Sequence, residues 1–266
     1  DAVKARRARA KVRVPDFSGA APNSALNDAF TPQRAYARAA LPLADVKAVK
    51  DAAGVTLNDV VLATVAGGLR SYLAERGELP DLPLLASVPV SYESPDAPIR
   101  QSGNTFWSFT TSLATDIDDP AERLATISAT AAEAKEQLTI LGPDLMPAWL
   151  DLVPPFITEP GAKALIERLR NASPTDLVDA NVLISNIRGP AEPWTLLGRD
   201  VTDLFIDGPP SNGVGLNVML WSYGDRLLLG ILAFADALQD HAALTRHVEA
   251  AFADLHKDDG EDPPAQ

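Results

Sequence analysis

Residues 56–73 read TLNDVVLATVAGGLRSYL, and no other stretch restricts the fold as strongly. Thr56 and Asp59 stand in the form of a capping box, in which the cap hydroxyl takes the third N–H of a helix and the acidic side chain reaches back to the cap. A long helix is therefore predicted from about Leu57 to Arg76, with Val60, Val61, Val65, Leu69 and Tyr72 as its apolar stripe. Gly67 and Gly68 fall in its middle, where each costs about 1 kcal/mol relative to Ala. A close backbone approach by a neighbouring element is the expected compensation.

The rest of the chain supplies elements to pack around it. A shorter helix is predicted from Leu43 to Ala53, with Val46, Val49 and Ala53 on one face and Gly54 as its C-terminal stop. Leu82 to Val90 reads as a buried strand, and Asn104 to Leu113 as a β-branched and aromatic one. Asp119-Pro120 opens an alanine-rich helix to about Leu141, with Leu124, Ile127, Ala131, Ala134 and Leu138 facing inward. Asn181 to Ile187, a segment within Leu196 to Phe205, Val214 to Tyr223 and Arg226 to Phe234 read as strands. Gly224-Asp225 joins the last two as a two-residue hairpin turn. A final helix runs from about Asp240 to His256. Long helices interleaved with strands, and a hairpin near the end, define an α/β protein whose mixed sheet forms a two-layer sandwich with the helices. Residues 142–172 hold five prolines. That density breaks any helix into short amphipathic pieces, which either pack on the sheet or form a lid or membrane-facing surface.

The two ends differ from this middle. Lys4, Arg6, Arg7, Arg9, Lys11 and Arg13 make the start basic, and residues 1–34 read as a basic linker or tail. Such a segment is either plain linker or a contact with anionic lipid, where each cation contributes about 1 kcal/mol. Residues 35–256 form the domain, and 257–266 an acidic tail. A linker-like opening of this kind is expected of a C-terminal piece of something longer. The longest apolar stretch, Leu227 to Ala235, falls far short of the roughly 20 residues a membrane-spanning helix needs.

Composition excludes several chemistries. A formal net charge of −13 repels nucleic acid. The absence of cysteine removes disulfides, thiolate zinc sites and a thiol nucleophile. His241, His247 and His256 share one helix without the i, i+4 spacing of a metal pair, so they read as partly exposed helix residues and no metal is expected. There is no G-x-S-x-G elbow, P-loop or G-x-G-x-x-G fingerprint, and Asp118-Asp119 suits a helix start. On its own residues the chain lacks a good general base and calls for no cofactor.

Three polar patterns remain. Asn58-Asp59 opens the long helix, Gly103-Asn104 precedes the aromatic strand, and Ser185-Asn186-Ile187-Arg188-Gly189-Pro190 ends a strand in a tight turn. Each has a purely structural reading as a cap, an entry turn or turn chemistry. Taken in order with VPVS (Val88 to Ser91) and SYGDRLLLGILAFADALQD (Ser222 to Asp240), they resemble the bacterial wax ester synthase/acyl-CoA:diacylglycerol acyltransferases, or triacylglycerol synthases. The resemblance runs from Ala35 to Leu255 and covers that family's C-terminal half.

This resemblance implies a chloramphenicol acetyltransferase/condensation-domain-like half, one of two α/β halves around a tunnel. The family's catalytic H-H-x-x-x-D-G motif belongs to the first half, and no adjacent histidine pair occurs in these residues. The implied reaction is esterification of diacylglycerol or a long-chain alcohol by acyl-CoA, a co-substrate, with no cofactor and with the N-terminal half as partner. By position, Asn58 would hydrogen-bond substrate or the facing half, and Asp59 would fix the helix start. Asn104, Ser185, Asn186, Gly189 and Pro190 would belong to the substrate-binding wall. Arg188 departs from the family's usual proline, where its side chain either meets a CoA phosphate or faces solvent. The implied location is cytoplasmic, peripheral at the inner membrane face or a lipid-droplet surface. Two alternatives remain open here: a condensation-like half using carrier-bound acyl groups, and a non-catalytic lipid-binding or interaction module.

Overall fold

The computed structural model describes residues 21–27, 31–91, 106–141, 160, 163–164, 167, 179–211 and 213–258. Strand β1 (Arg34–Pro42) leads into helices α1 (Leu43–Ala53) and α2 (Leu57–Glu75), followed by β2 (Leu85–Ser91), β3 (Phe106–Ser112) and α3 (Pro120–Leu141). Then come β4 (Val182–Ile187), the two-residue strands β5 (Thr195–Leu196) and β6 (Arg199–Asp200), β7 (Leu216–Tyr223), β8 (Arg226–Phe234) and α4 (His241–Asp258). Six strands form one mixed sheet in the order β1-β8-β7-β4-β2-β3, while β5 and β6 pair separately. β2, β4 and β7 run parallel; β1, β8 and β3 join antiparallel to their neighbours. This is the mixed-sheet α/β sandwich expected from the sequence.

Helix α2 begins with the capping box: the Thr56 hydroxyl accepts from Asp59 N–H at 3.3 Å, and Asp59 Oδ2 accepts from Thr56 N–H at 2.9 Å. Its burial extends beyond the expected stripe to Leu62, Ala63, Thr64, Ala66, Gly67, Gly68 and Leu73. The cause is its central position, where α1, α3 and α4 all pack against it. At the α4 crossing, a Cβ on Gly67 would stand 2.8 Å from Ala251 Cβ, and one on Gly68 would stand 2.5 Å from Val248 Cγ2. The glycine pair is thus where α4 comes down onto α2. Arg123 tucks its guanidinium beside Gly67 and donates to the carbonyls of Ile117 and Asp118. Burial, more than the neighbouring Arg70, lowers its pKa.

The sheet presents Ala35, Ala37, Ala39 and Leu41 of β1, Leu229 and Ile231 of β8, Val218 and Leu220 of β7, and Val182 and Ile184 of β4 to one core shared with the helices. Gly54 ends α1 at φ 66°, and Gly224 turns β7 into β8 at φ 58° with Tyr223 opposite Arg226. Both were expected. β1 was not: its period-two burial is carried mostly by alanine, a weak strand former that fits here because α4 packs on this edge.

Two sequence expectations need correction. Residues 21–27 belong to the segment read as linker or tail, yet Leu26 and Asn27 are buried. Asn27 Nδ2 donates to the carbonyls of Ala180 and Gly213, and Asn181 Nδ2 donates to Asn27 Oδ1 at 2.7 Å. These buried amides satisfy one another and tie the segment to the start of β4, which a solvated linker would not do. The strand expected within Leu196 to Phe205 is a short β5–β6 hairpin followed by an irregular strap over the outer face of β7 and β8. Side chains of β7 satisfy the strap's backbone in place of a strand partner. Tyr223 Oη donates to Val201 O at 2.8 Å and accepts from Trp194 N–H, while Trp221 Nε1 donates to Leu204 O. The basic start, the proline-rich stretch 142–172 apart from residues 160, 163–164 and 167, and the end of the acidic tail lie outside the described residues.

Replacing Gly68 by Ala tests the crossing. Helix propensity alone would favour Ala by about 1 kcal/mol, whereas overpacking a close-packed contact costs about 1–3 kcal/mol. With backbone atoms of Val248 within 2.9 Å of the new Cβ, overpacking should win. Gly68→Ala should lower the urea midpoint by an amount equivalent to about 1–2 kcal/mol, read from chemical denaturation.

Candidate functional site

The described residues cover the outer face of the sheet only in part. Leu183, Ser185 and Ile187 alternate with the core-facing residues of β4 and so point away from the helices. β2 brings Pro89 and Ser91 to the same face, β3 sets Phe106 opposite Ser91, and β7 sets Met219 opposite Ser185. These residues line a cavity of about 590 Å³, with Val90, Asn186, Arg188 and the strap's Pro209 completing the described lining. The volume falls in the range of small-molecule sites, about 300–1,000 Å³. Phe106 is 55% exposed and Ile187 44%. Apolar area of this kind, gathered at one place on a surface, marks a binding or contact region.

The cavity's position follows from strand direction. β2 and β4 are parallel neighbours, so their C-terminal ends, Val90–Ser91 and Asn186–Arg188, meet at the same edge. Open α/β sheets bind ligands outside the carboxyl ends of parallel strands, where the strands stop and their connections diverge. Ser185 is buried beside this opening, Asn186 is half-buried, and Arg188 is exposed.

Gly189 and Pro190 act one step away from the lining. Gly189 N–H donates to Ser222 Oγ at 3.0 Å, and a Cβ on Gly189 would stand 2.0 Å from the Ser222 carbonyl oxygen. Only glycine lets the turn press so closely on β7. The Pro190 carbonyl accepts from Gly224 N–H at 3.1 Å. These two residues lock the turn to the β7–β8 hairpin and thereby fix where Arg188 leaves the sheet.

Asn58 and Asp59 belong to the helix layer and are not among the residues lining the cavity. Asp59 is 3% exposed, and its Oδ2 also accepts from the Ser128 hydroxyl at 3.1 Å, joining α2 to α3. Its Oδ1 is buried without a hydrogen-bond partner among the described residues. Asp59 thus fixes the helix start, as expected. Asn58 beside it is half-buried. Asn104 lies outside the described residues.

The sequence reading did not identify Leu183, Met219 or Pro209 as lining. The first two could be found only from strand register, and Pro209 follows from the strap, whose carbonyl at that residue accepts from Asn217 Nδ2 at 3.1 Å. Asp207, two residues earlier, lies against Gly230. Burial pushes its carboxyl above the usual range; burial first, and the Asp207 charge second, also raises the Tyr36 phenol.

The fold is a mixed-sheet α/β sandwich with a cavity at its parallel strand ends, and comparisons with known proteins show its family. The profile of the wax ester synthase/diacylglycerol acyltransferase C-terminal domain matches residues 102–256, and that of the catalytic domain of the same family matches residues 1–61. The chain belongs to the wax ester synthase/diacylglycerol acyltransferase family. A Mycobacterium tuberculosis protein named as a candidate diacylglycerol O-acyltransferase is 38% identical over 236 residues, covering 89% of this chain and 49% of its own length. The wax ester synthase/diacylglycerol acyltransferase structure from Marinobacter aquaeolei superposes with a TM-score of 0.69 at 27% identity, covering 98% of this chain and 56% of that one. A condensation domain of the enacyloxin polyketide synthase shares the fold at TM-score 0.52 and 13% identity, over 90% of this chain and 44% of that one. The chain spans about half the length of the curated relatives it matches. The two family profiles meet in one sheet: β1, from the catalytic-domain match, pairs along its whole length with β8, from the C-terminal match. Asn58 and Asp59 fall within the catalytic-domain match.

Two stability measurements follow from this geometry. Asp59→Ala removes a cap and a buried hydrogen-bond partner of Ser128, and should cost about 2 kcal/mol. Asn58→Ala should stay within about 0.5 kcal/mol of the parent, both read as urea midpoints. Asp207→Asn tests the raised carboxyl. A group whose folded pKa lies above its unfolded one loses stability as pH rises between the two values. The Asn variant should therefore be the more stable at pH 7, and the two midpoints should converge below about pH 4.

Proposed function

We propose that this chain forms one wall of the reaction tunnel in an acyl-CoA-dependent O-acyltransferase that esterifies diacylglycerol or a long-chain alcohol to triacylglycerol or wax ester. The observation that carries this reading is the cavity at the carboxyl ends of β2 and β4, built by the two segments VPVS and SNIRGP. Family membership supplies the reaction class. The base in this reading is a histidine of an H-H-x-x-x-D-G motif on a preceding N-terminal half. It takes the proton of the acceptor hydroxyl as that oxygen attacks the thioester carbon, the acyl–oxygen bond forms, and CoA departs as the thiol. A positioned base of this kind contributes about 10²–10⁴-fold.

The contribution of the present chain is orientation. A mostly apolar cavity beside Ser185 and Asn186 suits a chain-bearing substrate with a polar centre. Acyl-CoA is the co-substrate, and the reading asks for no further cofactor. Both acceptor classes partition into lipid, which supports work at the inner face of a membrane or on a lipid droplet. Asn58 supports the site from the helix layer, through a hydrogen bond to substrate or to the facing half.

The test is thiol release from palmitoyl-CoA with a diacylglycerol or hexadecanol acceptor. This chain alone should release none, and the chain joined to the upstream half of the longer enzyme should release CoA with ester formation. In the joined enzyme, Asn58→Ala should lower turnover about tenfold while leaving the denaturation midpoint nearly unchanged. Thiol release by this chain unaided sinks the reading, and unchanged turnover in Asn58→Ala removes Asn58 from the site.

A further inference from the structure

Among the described residues that line the cavity, Arg188 is the one charged side chain. The remainder is either apolar, as with Phe106, Ile187 and Met219, or neutral and polar, as with Ser185 and Asn186. Arg188 is exposed, and no carboxylate pairs with it among the described residues. Its backbone is not free to wander, because Gly189 is pressed onto Ser222 at the next position. The result is a cation that leaves a fixed point of the backbone in the lining of a mostly apolar cavity.

The formal charge of the whole chain is −13, so its mean field opposes the approach of an anion. As the one cation among the described lining residues, Arg188 therefore discriminates between ligands. A diacylglycerol or a fatty alcohol has no charge to offer it. An acyl thioester on a phosphorylated arm offers both a chain for the apolar wall and a phosphate for a guanidinium, whose planar fork matches phosphate oxygens.

We propose that Arg188 is the residue that meets the phosphate of the acyl donor at this cavity. The inference rests on the acyltransferase reading above and goes beyond it by naming the side chain that tells a phosphate-bearing donor from one without phosphate. The phosphate that Arg188 meets belongs to the donor, not to a membrane phospholipid. Asn186 and Ser185 stand next to it on β4, within the same lining, where the donor's neutral arm would run.

The experiment compares two donors in the enzyme joined from both halves: octanoyl-CoA, and S-octanoyl-pantetheine, which carries the same thioester without phosphate. Arg188→Gln should lower kcat/KM about five- to tenfold for octanoyl-CoA, mainly through KM, and leave the pantetheine donor unchanged; an ion pair at an exposed rim is worth no more than this. Arg188→Lys should recover part of the loss, because it keeps the charge but not the fork. Added salt should weaken the parent's preference for octanoyl-CoA and affect Arg188→Gln less. Equal use of both donors by parent and variant overturns the inference while the acyltransferase reading stands. So does a variant that loses binding to phosphatidylglycerol vesicles with its donor preference intact, since Arg188 would then meet lipid. Transfer from neither donor, with the enzyme folded by circular dichroism, overturns both.

Discussion

The close crossing of α2 by α4 at Gly67 and Gly68 fixes how tightly the helices of this molecule pack. Two helices whose backbones meet across glycine pack closely side by side, and α2 is buried around nearly its whole circumference. The apolar residues of β1, β8, β7 and β4 on the inner face of the sheet are consequently all spent on one continuous core with the helices. The opposite face of the same strands is left to other interactions. Part of that face carries a second apolar cluster, Trp221, Tyr223 and Leu228 beneath the strap, and the cavity lies beside it at the ends of β2 and β4.

Polar side chains organise the outer face. Tyr223 and Trp221 hold the strap from Val201 to Leu204, and Asn217 holds it at Pro209. Buried backbone groups must find partners, and β7 provides them from side chains rather than from another strand. The strap then covers β7 and β8 but stops at Pro209, which becomes part of the cavity lining. On the far side, the buried amides of Asn27 and Asn181 join the N-terminal segment to the entry of β4, and Asn181 Oδ1 accepts from Leu85 N–H at 2.8 Å to join β2 as well. The two parallel strands whose ends form the site are thus anchored together at their beginnings.

Much of the fold is legible in the sequence because local chemistry decides it. The capping box at Thr56, the glycine pair, the stop at Gly54 and the Gly224-Asp225 hairpin each name a conformation without reference to distant residues. β1 escapes such reading because alanine carries little strand preference, and only α4 packing against this edge makes it fit. Leu196 to Phe205 reads as containing a strand because of its apolar content, but the one strand wholly within it is Arg199–Asp200, and the rest finds its partners in side chains seventeen or more residues away in sequence. Within the site, Ser185 and Asn186 are legible from their motif. Leu183 and Met219 depend on which face the register turns outward, a property of the whole sheet.

In the proposed reading, a wall that holds no base still accounts for much of an acyl transfer. Bringing two reactants into near-attack geometry is worth about 7–11 kcal/mol at the upper end, against about 3–5 kcal/mol for a positioned base of 10²–10⁴-fold effect. In the reading proposed above, the base and the orientation are supplied from different sides of one tunnel, and the larger share falls to whichever surface fixes the acyl chain. That division places a particular demand on the fold: the orienting surface must be rigid before substrate arrives. Here the strand ends at the cavity are held by parallel pairing, by the Gly189 turn pressed on Ser222, and by a helix layer packed closely at two glycines. Stability and site geometry are therefore coupled through the sheet, its inner face holding the strands in register and its outer face using that register to present Ser185, Asn186 and Arg188 together.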